Sequence, residues 1–390
     1  MRALFLCEGN AETHDSWSGV SRSVVRHLRA EGHTVRVCDA DLYGMRRIGV
    51  ALRTVAWPRR RWWVRHHLHA SAFRARSEMC ARAIRAAGPG FDVLLQVGAT
   101  FSPPASCDLP LVLYCDSNAE LSRLGAASGH SEGASLTVGE LAEVRDREEQ
   151  VYRRAAMIFT MSERLRRSFI EDFGIAPDKL VTVHCGPNVD ALPPAVTEFR
   201  RPSPPTILFV GRDFDRKGGA LLLEAFAEVR RRVPDARLRF VGGRPARRAA
   251  IPEGVECLGY LSRDDVEGST AMREAYESAS VFCIPTRFDP FGTSFVEAML
   301  YGLPCVGPAV WAVPEIIAHE ETGLLTPPGD PQALADALVR LLADPVAAAR
   351  MGVAARARAE SHFSWARIAA TMSRTLQAVV GADAGLARGA

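Results

Sequence analysis

The chain has 390 residues, 47% of them hydrophobic, more than one compact core usually holds, so two domains are expected. A formal net charge of +3 makes no general case for nucleic-acid binding. Nine singly scattered cysteines, with no pair at metal-ligand spacing, argue against a zinc module and read as small buried hydrophobes in a reducing compartment.

Strand and helix patterns alternate from the start. Ala3 to Cys7 reads as a strand, Val20 to Glu31 as a helix, and Thr34 to Cys38 as a second strand after the stop Gly32-His33. The run Met1 to Cys7 is too short for a secretory signal, and no segment is apolar enough over a long enough span to cross a membrane. A cytoplasmic protein that touches a membrane only at its surface is therefore expected. Further strands are predicted at Val93 to Val97, Leu111 to Cys115, Met157 to Met161 and Leu180 to His184. Pro193, Pro194, Pro202, Pro204 and Pro205 then mark an interdomain linker. The alternation restarts at Thr206 to Val210, followed by a helix with Leu222, Phe226, Val229 and Val233 on one stripe. Strands at Leu238 to Val241, Glu256 to Leu258, Val281 to Ile284 and Pro304 to Val306 complete a second unit, and helices follow Pro331. This pattern predicts two doubly wound parallel sheets with a cleft between them.

Candidate chemistry lies in the turns after the strands. Gly19 opens the first helix, where it lets the backbone approach an anion, although no G-x-G-x-x-G accompanies it. Between Arg46 and Arg85 the one acidic residue is Glu78, and the run Arg59 to His67 interleaves arginines with Trp62 and Trp63. That composition suits an anionic acceptor or a membrane surface. The plainer reading is a solvated helix whose tryptophans pack on the sheet. Asp116 follows a strand and either orients an acceptor hydroxyl or caps a helix. The pairs Asp39/Asp41 and Asp213/Asp215 read as solvated turns. Arg212 and Lys217, in Gly211-Arg212 to Lys217-Gly218, can grip phosphate oxygens, at roughly 1.5–3 kcal/mol for each charged hydrogen bond.

The richest segment runs from Ile284 to Met299 and sets Asp289 and Glu297 eight positions apart across a strand-to-helix turn. Ligands bind at such turns in parallel sheets. Ser294 to Glu297 also fits a capping box, in which Glu297 would serve only the helix end.

Together with Leu258 to Ser262, Pro314 to Ile317, Thr322 to Leu325 and, more weakly, Ile158 to Glu163, these segments resemble the retaining, nucleotide-sugar-dependent glycosyltransferases of family 4, which have the GT-B fold. The resemblance implies an N-terminal Rossmann-like acceptor domain at 1–188, a linker at 189–205 and a donor domain at 206–362. A helix at 363–380 would return to the first domain, and 381–390 would be a disordered tail. It implies catalytic roles for Asp289, Arg212 and Lys217, and the position of Asp116 after its strand adds that residue to the expected catalytic set. The donor would be held by Arg212, Lys217, Asp289, Phe291, Gly292, Thr293, Ser294 and Glu297, with Glu297 on the ribose and Asp289 on the transferred sugar, and Gly19, from its turn before the first helix, is expected to join them. No metal and no cofactor is expected besides a nucleotide-sugar co-substrate, UDP- or GDP-linked. The partners would be that donor and a hydroxyl acceptor, small molecule, glycan or lipid-linked, with peripheral membrane contact through the Arg59–Trp63 region and no nucleic acid.

Three departures from the family pattern stand out. Asp289 replaces the usual Glu, Trp311-Ala312 replaces a glycine pair before Pro314, and Leu95-Gln96-Val97-Gly98 stands where a strand of the first domain commonly ends in histidine. A nucleotide-sugar epimerase or hydrolase, or an inactive sugar-binding relative, are the alternatives to a transferase.

Overall fold

The computed structural model describes all residues except 14–15, 128, 190–191, 194–202, 246–250 and 390, and the chain divides into two compact units, 1–185 with 365–390, and 186–364. Most of the expected linker lies outside the described residues.

The first unit begins with β1 (Arg2–Cys7), α1 (Val20–Ala30) and β2 (Thr34–Asp39). Three consecutive helices follow, α2 (Gly44–Arg53), α3 (Arg59–Leu68) and α4 (Ala70–Ala87). The remainder runs β3 (Val93–Val97), β4 (Leu111–Cys115), α5 (Ala119–Ala126), α6 (Val138–Arg154), β5 (Met157–Thr160), α7 (Glu163–Glu171) and β6 (Leu180–Thr182). All pairings are parallel, in the order β2-β1-β3-β4-β5-β6. β3 and β4 are buried along their whole length, which is why they appear in the sequence as unbroken apolar runs rather than alternating ones. Leu94, Leu113, Ile158, Leu165 and Phe169 lie at the centre of this core.

The second unit comprises β7 (Thr206–Gly211), α8 (Gly219–Arg232), β8 (Arg237–Gly242), β9 (Val255–Gly259), α9 (Val266–Glu277) and β10 (Val281–Cys283). It continues through α10 (Thr293–Leu300), β11 (Cys305–Pro308), α11 (Val313–Ile316), β12 (Gly323–Thr326), α12 (Pro331–Ala343) and α13 (Pro345–His362). Its parallel sheet is ordered β12-β11-β10-β7-β8-β9. The stripe on α8 is buried at Leu222, Phe226 and Val229, and Val233 forms the C-cap. α10 stops at Gly302, whose φ of 70° and bond to Met299 O, with Leu303 N to Ala298 O at 3.1 Å, close the helix end.

The last helix, α14 (Trp365–Gly389), belongs to the first unit. His27 of α1 stacks on Trp365 with centroids 6.0 Å apart, and His33 Nε2 meets Ser373 Oγ at 2.6 Å. The expected disordered tail at 381–390 is corrected for 381–389, where helix continues to Gly389, and residue 390 lies outside the described residues. The segment has no proline and is rich in alanine, the strongest helix former, so its glycines do not end the helix.

Both sheets are wound in two directions from their first strand. In each, the order reverses once, between β1 and β3 in the first and between β7 and β10 in the second. At such a reversal the flanking loops leave the sheet in opposite directions and open a crevice beyond the carboxyl ends of the strands.

Candidate active site

In the second unit the two loops flanking the reversal are those after β7 and β10, and they carry Arg212, Lys217 and Asp289, with Glu297 in the helix that follows. Lys217 Nζ donates to Asp289 Oδ2, and both side chains are nearly enclosed. Burial pushes the Lys217 ammonium below its usual pKa, and the Asp289 charge opposes that shift. The backbones are tied together as well. Arg287 N donates to Arg216 O at 2.9 Å, and the Arg216 guanidinium donates to Phe288 O at 3.0 Å. Gly218 is needed here, since its φ is 80° and a Cβ would lie 2.0 Å from Pro285 O.

Glu297 is buried, and both of its carboxylate oxygens accept hydrogen bonds. Its Oε2 accepts from Arg263 at 2.6 Å and from the Tyr276 hydroxyl at 2.8 Å, while Oε1 accepts from Asn188 N at 3.2 Å. Burial acts to lower the Arg263 pKa, but the adjacent Glu297 carboxylate outweighs it and the guanidinium is held above its usual value. The capping-box expectation is therefore corrected. Gly292, in the left-handed region with φ 100°, starts α10 without a side-chain cap, and Thr293 is the first helical residue. Glu297 is then the fifth helical residue, too far along to reach back to the helix start.

Phe291 is buried, Thr293 and Ser294 are half-buried, and all three sit with Gly292 at the opening of α10, so the donor-binding segment is continuous with the Asp289 loop. Arg212 has a different partner from Lys217. It is exposed, donates to the Tyr260 hydroxyl at 2.6 Å, and lies 4.7 Å from that ring's centroid. Trp311 has a φ of 59°, in the left-handed region that favours glycine. Its indole donates to Arg287 O at 2.9 Å and packs edge-on against Phe288, centroids 4.9 Å apart. The tryptophan thus braces the loop that carries Asp289.

Sequence reasoning missed Arg263 and Tyr276. Arg263 directly follows the Leu258 to Ser262 segment, which was the available signal, whereas Tyr276 lies in the buried stripe of α9 and looks like any core aromatic.

In the first unit the reversal point holds a group that the sequence did not single out. Glu8, just after β1, accepts from Thr100 in the loop after β3 and pairs with Arg76 Nε at 2.8 Å. Arg76 is buried, lies 3.8 Å from Asp41 and donates to His67 O at 2.7 Å. Gly19 N-caps α1 at φ 86°, in the left-handed region. Asp116 is half-buried at the end of β4, away from this reversal point, and its capping alternative is corrected: Asn118 caps α5 by accepting from Leu121 N at 2.9 Å. Asp39 accepts from Gly9 N and Asp41 N, and Asp213 from Arg216 N, so these acids brace turns. Burial pushes the Cys7 and Cys80 thiols up to about 12. The expectation that Trp62 and Trp63 pack on the sheet is corrected too. α3 buries only Val64, and both tryptophans are exposed, because three helices intervene between β2 and β3 and α3 lies on its helical neighbours.

Comparison with known proteins agrees with this architecture. The family described as "Glycosyltransferase Family 4" matches residues 18–191, and that described as "Glycosyl transferases group 1" matches residues 204–344. A phosphatidyl-myo-inositol mannosyltransferase of Mycobacterium leprae is 35% identical over 225 residues, 56% of this chain and 58% of that protein. The alignment thus spans less than two thirds of that curated relative. Among solved structures, sucrose-phosphate synthase from Thermosynechococcus elongatus superposes with a TM-score of 0.71 at 20% identity, covering 98% of this chain and 100% of that one. Anabaena Alr3699/HepE, solved with UDP and glucose, has a TM-score of 0.64 at 16% identity over 97% and 100% of the two chains. At these identities the structural likeness speaks to the fold.

Proposed function

The chain belongs to the family-4 glycosyltransferases of the GT-B fold, and on that premise we propose that it is a retaining, metal-independent glycosyltransferase, moving a sugar from a UDP- or GDP-sugar to an acceptor hydroxyl. The observation that carries this reading is the placement of Lys217, Asp289 and Glu297 around the one reversal point of the second sheet, with Lys217 bonded to Asp289.

In this reading Lys217 and Arg212 neutralise the departing diphosphate. Lys217 is a buried point charge already oriented by Asp289, so little reorganisation is needed as charge develops on the leaving group. Arg212 swings from Tyr260 to the phosphates. Glu297, locked by Arg263 and Tyr276, accepts from the ribose hydroxyls, and Asp289 accepts from a hydroxyl of the transferred sugar. Backbone N–H groups from Phe291 to Ser294 face sugar and phosphate, and Gly19, at the start of α1, leaves room for an anion to approach the first unit's own backbone. The acceptor hydroxyl attacks the face that the nucleotide leaves and passes its proton to a phosphate oxygen. The acceptor is a small molecule, glycan or lipid-linked hydroxyl, the protein is cytoplasmic, and the Arg59–Trp63 region makes a peripheral membrane contact.

Calorimetric titration of UDP, GDP, ADP and TDP, each with its sugar conjugates, tests the donor site. One base should bind in the native protein and lose at least about tenfold in affinity in Glu297→Gln, the scale of one lost charged hydrogen bond. Equal binding of all four bases, or none, would contradict the assignment.

A further inference from the structure

Half of the large apolar side chains exposed among the described residues, eight of sixteen, fall between Tyr43 and Trp63. On α2, Met45, Ile48 and Leu52 are spaced to share one face and are 80%, 51% and 71% exposed, while Val50 is the helix's one buried residue. The loop to α3 adds Val55 and Trp57, the latter 86% exposed, and α3 adds Trp63 at 58%. This face is built to stay in place. Trp62 Nε1 donates to Ala51 O at 3.0 Å, linking α3 to α2, and Arg46 pairs with Glu78 of α4.

The segment that carries the patch has charge of one sign, and Glu78 and Glu140 of neighbouring helices pair with Arg46, Arg61 and Arg65. From Leu42 to Ser77 there is no Asp or Glu, and Arg47, Arg53, Arg59 and Arg60 are exposed beside the apolar face. An apolar helix face rimmed by arginine, with tryptophans at its edge, is the composition of a helix lying in a membrane interface. Basic side chains near an anionic lipid surface are drawn to its headgroups, and the attraction is screened by salt. An acidic protein partner would match the arginines but leaves Met45, Leu52 and Trp57 without a reason to project together beyond them.

We infer that α2 and the loop to α3 form an interfacial anchor for an anionic phospholipid surface, with Met45, Ile48, Leu52 and Trp57 entering the acyl boundary and the arginines meeting headgroups. This deepens the peripheral-contact part of the proposed function, and moves the point of insertion from Arg59–Trp63 to α2. No helix among the described residues is long and apolar enough to cross a membrane, so the contact is one of surface association.

The test is flotation of the full chain with phosphatidylcholine vesicles, with and without phosphatidylglycerol, in the absence of any nucleotide sugar. The native protein is expected to float with the phosphatidylglycerol vesicles alone and to be released by high salt. Met45→Ser/Ile48→Ser/Leu52→Ser should bind about tenfold or more weakly, and Arg47→Glu/Arg53→Glu should lose the preference for anionic lipid. Leu124→Ser, an exposed apolar residue elsewhere, should bind as the native chain does. Since all these side chains are exposed, thermal midpoints should be unchanged, and circular dichroism checks the fold. No flotation of the native chain, undiminished binding of the triple variant, or a native dimer that the triple variant converts to monomer would each overturn the inference. Turnover with a soluble acceptor, measured separately, shows whether the transfer reaction stands independently.

Discussion

Lys217 and Asp289 are bonded to each other across the reversal point of the second sheet, one from the loop after β7 and the other from the loop after β10. Both are enclosed, so each neutralises a charge that would be costly to bury alone. The pair therefore couples stability to function, and paired substitutions can separate the two. Lys217→Ala should lower turnover by about 10²–10³, the scale of one lost preorganised electrostatic stabiliser. It should also destabilise by about 3–5 kcal/mol through the stranded carboxylate. Lys217→Met/Asp289→Leu should restore most of the stability, read by denaturant titration, without restoring turnover.

The Glu297 site predicts a division of labour. Tyr276→Phe removes one of the bonds to Oε2 and leaves the aromatic packing, so it should raise KM for the donor several-fold with kcat little changed. Arg263→Ala removes the charged partner and should weaken nucleotide binding further, by about 1.5–3 kcal/mol. Both are positioning effects, so steady-state kinetics with varied donor and varied acceptor should show them on the donor side alone.

Glycine substitutions test the close approach of the two loops. Gly218→Ala puts a Cβ 2.0 Å from Pro285 O at a φ of 80°, whereas Gly259→Ala, at φ 73°, meets open space. Gly259→Ala should cost about 1 kcal/mol for backbone strain alone. Gly218→Ala should cost clearly more and displace the Asp289 loop, so thermal melts and turnover should fall together in that variant.

A pH effect follows from Glu148 of α6. Burial raises its pKa from 4.5 to about 7, although it accepts from Ala119 N at 2.8 Å and the Tyr152 hydroxyl at 2.9 Å. The folded chain keeps this proton in a range where the unfolded chain has released it. Stability from this group is thus full below pH 4.5 and is lost as pH rises through about 7, by an upper bound of about 3 kcal/mol. Glu148→Gln should flatten that slope, measured by denaturant titration between pH 5 and pH 8 at about one-unit steps.

The strands at Val93–Val97 and Leu111–Cys115 were legible residue for residue, because burial on both faces writes itself as an unbroken apolar run. β12 was not predicted as a strand: its four residues, Gly323–Thr326, are too few to show a period. The loops bearing Lys217 and Asp289 were legible from their glycines and prolines. Their direct bond was not, since it joins residues 72 positions apart. The partners of Glu297 were hidden for the same reason, as sequence spacing cannot show that Arg263 and Tyr276 converge on one carboxylate. Trp311 was legible only as a departure, and its glycine-like φ of 59° explains how the loop keeps its course with a large side chain.

On the proposed function, nucleotide leaves the second unit only once its sugar has passed to an acceptor. The most direct measurement is nucleotide release from the cognate donor with and without acceptor, with the anomeric configuration of the product read by NMR, in the native chain and in Arg212→Ala/Lys217→Ala. Acceptor-dependent release with retained configuration, abolished in the double variant, is the predicted result. Release without acceptor, inverted configuration, or full activity in the double variant would contradict it.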